Sequence, residues 1–63
     1  MRLKQDGNFV LHCGDSLRTV ELEAGTEISR TTLHAEPIYV VEDGRWKGWY
    51  FVASDRWVNK NTE

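Results

Sequence analysis

Cysteine is nearly missing from this 63-residue chain: Cys13 stands alone, so no intramolecular disulfide can form. That usage fits a reducing compartment, or at least requires no oxidising one. Proline is equally scarce, with Pro37 the single instance; it lacks a ladder donor and holds Glu36 extended or in a turn, so a strand must stop there. No apolar run approaches the ~20 residues of a membrane span. The opening Met-Arg-Leu-Lys-Gln also lacks the apolar stretch of a signal peptide. A cytoplasmic protein without membrane contact is therefore expected. An initial Met without tag or linker reads as the start of a complete small gene product, of the size that phages and mobile elements often encode.

The signatures of chemistry are missing as well. Metal ligation would fall to His12, Cys13 and His34, but adjacent residues of a strand point to opposite faces. No short C-x-x-C or H-x-x-x-H clip supplies the three or four converging ligands that zinc wants. For the same reason His12 beside Cys13 is not a catalytic dyad, because the base must reach the thiol in space. There is no G-x-S-x-G turn and no phosphate-cradling glycine loop. Glu21 and Glu23 share one strand face, which reads as a solvated face rather than an acid–base pair. So small a fold has little room for a pocket of ~300–1,000 Å³. The expectation is a protein that is not an enzyme, with no cofactor and no metal.

What the chain does have is aromatic residues, crowded into one place. Gly44 to Val58 reads GRWKGWYFVASDRWV and holds all three tryptophans together with Tyr50 and Phe51. A domain of ~60 residues hides only ~60% of the surface its unfolded chain exposes, so large rings are valuable as core. They are equally valuable as binding surface. Charge is segregated too, although the net charge is only −2. Residues 15–43 carry seven carboxylates against Arg18 and Arg30, a balance of −5. Residues 44–60 carry Arg45, Lys47, Arg56 and Lys60 against Asp55, a balance of +3. The aromatic segment is the basic one.

Two Asp-Gly pairs sit between strand-like runs, and Asp-Gly is a strong hairpin signal. They predict Arg2–Gln5 turning at Asp6-Gly7 into Asn8–Cys13, and Ile38–Glu42 turning at Asp43-Gly44 into Arg45–Ser54. Between them, Gly14-Asp15-Ser16 reads as a turn into a strand over Leu17–Glu23, with Arg18, Val20 and Leu22 on one parity. A further strand is expected over Glu27–Ala35, with a helical turn at Thr31–Glu36 as the alternative, and a last short strand over Arg56–Asn59. No segment shows a 3.6-residue apolar period. The reading is all-β: one small domain over residues 1–59, a five- or six-stranded antiparallel meander curled into a small barrel that protects its edges, and a frayed tail at 60–63. The turn between Leu22 and Ile28, the run Gly48-Trp49-Tyr50 and the closing Trp57-Val58 resemble, in architecture alone, bacterial SH3-like barrels.

A two-residue turn at Asp43-Gly44 would set Val41 against Trp46, Tyr39 against Gly48 and Ile38 against Trp49. Ile38, Val40, Trp49, Phe51 and Ala53 then form the core. Tyr39, Val41, Trp46, Tyr50 and Val52 form the other face, rich in groups that like one apolar side and one wet end. A bulge at Gly48 would instead carry Trp46 to the face of Trp49 and Lys47 to that of Tyr50. Trp57 is not placed. On this register the expected function is that of a small binding module or regulator. Tyr39, Trp46 and Tyr50 would anchor a protein partner or a second copy of the chain, flanked by Arg45, Lys47 and Arg56. The alternative is single-stranded nucleic acid on the basic aromatic hairpin 45–57, rings stacking on bases and cations meeting phosphates. The acidic total charge argues against it.

Overall fold

The computed structural model describes residues 1–31 and 35–63. Its clearest local rule is the tight turn at Gly14-Asp15. Gly14 takes φ +58°, a conformation open to glycine at low cost, and sets Cys13 opposite Ser16 in a two-residue hairpin. The hairpin joins β1 (Gly7–Cys13) to β2 (Ser16–Leu22) in seven-residue register. Phe9 and Leu11 face inward with Val20 and Leu22, while Val10, His12, Leu17 and Thr19 face outward, as the period of two requires.

Three shorter strands complete the sheet: β3 (Ile28–Thr31), β4 (Ile38–Val41) and β5 (Tyr50–Val52). All pairings are antiparallel, in the order β2-β1-β5-β4-β3. The antiparallel five-stranded sheet is therefore there, but not as one continuous meander, since β1 pairs with β5, and it does not close into the expected SH3-like barrel: among the described residues β2 and β3 are the two edges. The N-terminus shows why. Instead of forming a hairpin at Asp6-Gly7, Arg2 bridges Glu27 and Leu3 bridges Thr62. Leu3 N–H donates to Thr26, and Ile28 N–H donates to Met1. These residues line the start of β3, where a closing strand would lie. Asp6 turns its carboxylate to the Ala24 N–H (2.7 Å).

The β4–β5 register also departs from the expected one. Asp43-Gly44 is not a two-residue turn. Asp43 accepts from Glu27 N–H (3.2 Å), and Glu42 N–H donates to Glu27 (2.8 Å). The chain needs a longer connection, closed by Trp49 N–H to Trp46 and by Gly48 N–H to Val41. Gly48 is a turn residue at φ +91°, not a strand bulge. Val41 now lies against Trp49 and Tyr39 against Phe51. This is three residues from the expected register, and an odd shift exchanges the faces. Tyr39 and Val41 are core, and Ile38 and Val40 lie on the other face with Tyr50 and Val52.

Residues 56–59 are helical rather than a strand. α1 (Asp55–Asn61) starts at Ser54, whose hydroxyl accepts from Trp57 N–H (3.1 Å), with Asp55 in the first turn and Lys60 in the last. Ser and Asp at a helix start satisfy and complement its orphan N–H groups. At the other end Asn61 and Thr62 side chains donate to the carbonyls of Trp57 and Val58. Of residues 60–63, expected to fray, Lys60 and Asn61 belong to α1, Thr62 is buried, and Glu63 N–H donates to Arg2 (2.8 Å). Val58 is fully buried and joins Leu3, Leu11, Leu22, Ile28, Tyr39, Val41 and Phe51 in one core. Phe9, Val20, Trp46, Trp49 and Ala53 pack against it from partly exposed positions. The strand and helical-turn expectations for Thr32 to His34, and His34 as a ligand, lie outside the described residues.

Candidate functional site

The six residues expected to form one binding face are distributed over four places. Tyr39 is 2% exposed, so it cannot serve as a surface anchor. Its hydroxyl donates to the Asp55 carboxylate, which also receives Arg30 Nε at 2.7 Å and Nη2 at 3.2 Å. These bonds, Arg30 first, hold the Asp55 carboxyl below the usual carboxylate range. Burial, reinforced by the bond to Asp55, pushes the Tyr39 phenol up. The trio ties β3, β4 and the start of α1 together, which is a structural task.

Arg45, Trp46 and Lys47 lie in the connection between β4 and β5. The Arg45 guanidinium sits 5.1 Å from the Trp46 ring centre, and Trp46 meets Trp49 edge-on at 5.2 Å. Both indoles are half-buried against the core, while Arg45 and Lys47 are exposed. A groove of about 280 Å³ runs along Arg45 and Trp46, but Glu21, Glu23 and Asp43 line it as well. Tyr50 is elsewhere, on the outer face of the sheet, stacked on His12 at 5.2 Å. Arg56 is exposed on α1.

An apolar concavity lies between β1, β5 and the start of α1. The registered pairing of β1 with β5 is a single pair, His12 opposite Tyr50. Beyond it the two strands part, and the gap forms a groove of about 540 Å³. Phe9 and Phe51 line it with their rings 4.8 Å apart, and Trp57 stands edge-on to Phe9 at 5.8 Å. Val10, Val52 and Trp57, three of the exposed large apolar residues, border it at 50%, 53% and 41% exposure. Asn8, His12 and Ser54 supply polar groups at its margin.

Phe9 and Val10 were not among the residues expected to bind, and Trp57 entered only as part of the 45–57 hairpin of the nucleic-acid alternative; Val52 lies on the face of Tyr50, as alternation along β5 requires. The one local signal was Ser54-Asp55, a helix start. Read as such, it turns Trp57 from the middle of a strand into a first-turn residue beside β1. Among the described residues no three His, Cys, Asp or Glu side chains are grouped to hold an ion. Cys13 is an exposed free thiol at the hairpin tip, and His12 points to the opposite face. No described helix is long and apolar enough to cross a membrane. The chain matches no known family model, no curated protein and no solved structure.

Proposed function

We propose that this protein is a small non-enzymatic binding module that docks a protein partner in the groove between β1, β5 and α1. The observation that carries the reading is the convergence of exposed Trp57, Val10 and Val52 around a concave surface lined by Phe9 and Phe51. Interface anchors are large, rigid rings that a partner can desolvate fully, and Trp57 is the ring presented that way. The occupant best suited to a gap between two parting strands is an extended segment carrying a bulky apolar side chain. Asn8, His12 and Ser54 would meet its backbone. A cytoplasmic setting goes with this reading, since the exposed Cys13 thiol needs no oxidising compartment.

The direct test is selection of displayed random peptides on the immobilised full chain, in parallel with Trp57→Ala. The expected result is enrichment of peptides with a shared aromatic or aliphatic residue on the wild type and its loss on the variant. Equal enrichment on both, or none on the wild type, would overturn the groove as the docking site.

A second reading, single-stranded nucleic acid on residues 45–57, draws on Arg45 over Trp46 with Lys47 exposed beside it. The three carboxylates of the same groove repel a phosphate backbone. This reading requires tryptophan quenching by random oligonucleotides that salt reverses through counterion release. Unchanged emission at low salt removes it.

A further inference from the structure

The two edges of the sheet are unequally protected. β3 is four residues long, and Met1 to Leu3 back its start through Ile28 N–H and Thr26. β2 is seven residues long, in unbroken register with β1, and contains neither proline nor lysine. Among the described residues it pairs with β1 alone. Long, regular edges without proline, lysine or a bulge are templates for further pairing.

The phase of the hairpin shows which groups that edge offers. In a two-residue turn the flanking pair, here Cys13 and Ser16, exchanges both backbone bonds, and the pattern then alternates. Arg18, Val20 and Leu22 therefore bond to β1, while Leu17, Thr19 and Glu21 direct their N–H and C=O groups outward. Arg18 gives independent support: its Nη1 donates to the Leu17 carbonyl at 2.8 Å, a carbonyl facing away from β1.

We infer that β2 pairs edge to edge with β2 of a second copy of this chain, antiparallel about a two-fold axis at Thr19. A strand pairing antiparallel with its own copy is self-complementary by construction. Centred on Thr19, the pairing sets Thr19 against Thr19 and Leu17 against Glu21, with Arg18 against Val20. No like charges lie directly opposite. About six backbone bonds form across the axis. The two Arg18 side chains lie diagonally across it, and each must release the Leu17 carbonyl that it caps. The pair is consequently reversible, of the small transient class. It leaves the groove of the proposed docking site out of the contact and stands or falls independently of it.

The test is the mass of the full chain by sedimentation across a wide concentration range, with Thr19→Lys and Arg18→Ala beside the wild type. Thr19 is exposed on the outer face, so lysine leaves the core untouched while placing two cations at the axis. The wild type should double in mass with rising concentration. Thr19→Lys should stay monomeric, and Arg18→Ala should pair several-fold more tightly. Amide exchange on the wild type gives a second readout: concentration-dependent protection at Leu17, Thr19 and Glu21, with Arg18 and Val20 unchanged. A wild type that stays monomeric overturns the inference. So does a dimer that survives Thr19→Lys, or a series of growing oligomers, which a closed two-fold pair does not produce.

Discussion

Tyr39 shows how much can depend on one hydroxyl. The ring belongs to the core, stacked on Phe51 at 5.9 Å, and its polar end has an obligatory partner in Asp55, itself held by Arg30. Because the folded state keeps the Asp55 carboxyl below its ordinary value, the folded chain resists protonation there more than the unfolded chain does. Its contribution is complete above the normal carboxylate range and is lost as pH falls through the lowered folded value. Thermal melts should therefore find the wild type more stable than Asp55→Asn at neutral pH, with the gap narrowing below about pH 4. A gap that stays constant into acid would remove the charge from the account. Tyr39 behaves in the opposite sense at the alkaline end. Its raised phenol contributes below its ordinary value and loses that contribution only as pH rises through the elevated one.

At the scale of elements, legibility depended on whether a turn had one user or two. Gly14-Asp15 is flanked by strands and has no other task, so β1 and β2 were readable to within a residue or two. Asp43-Gly44 looks the same on paper, yet Asp43 is occupied by the Glu27 N–H, a partner 16 residues away that no local rule reveals. The displaced turn shifted the register by three and moved Tyr39 from platform to core. α1 was hidden for a different reason. Seven residues make two turns, and only Val58 is buried, so no period of 3.6 can be seen. Ser54 is the residue on which that helix depends. Ser54→Ala should cost about 1 kcal/mol through loss of the cap, or ~4–8 °C in melting temperature for a chain of this size. It should also red-shift tryptophan emission as Trp57 leaves Phe9. An unchanged melt would mean that packing of Val58 alone holds the helix.

For the whole molecule, antiparallel β architecture followed from strand spacing, but closure of the barrel did not. Closure depends on which segment reaches the edge of β3 first. Met1 to Leu3 take that position because Leu3 can bury its side chain there, at 3% exposure, whereas Arg2 to Gln5 paired at Asp6-Gly7 would have left it outside. The dispersion of the expected binding residues follows from the same register and the same helix. The same arrangement brings both ends of the chain together: Leu3 bridges Thr62, Lys4 N–H donates to Asn61, and Glu63 N–H donates to Arg2. In covalent terms the fold is already close to a ring. Linking Glu63 to Met1 through a few flexible residues and cutting at Gly14-Asp15 would give a permuted chain with every core residue in place. The losses would be the β1–β2 turn and the N-terminal amine's bonds to Glu27 and Ile28. Such a permutant should still melt cooperatively, with β2 now its first strand and β1 its last.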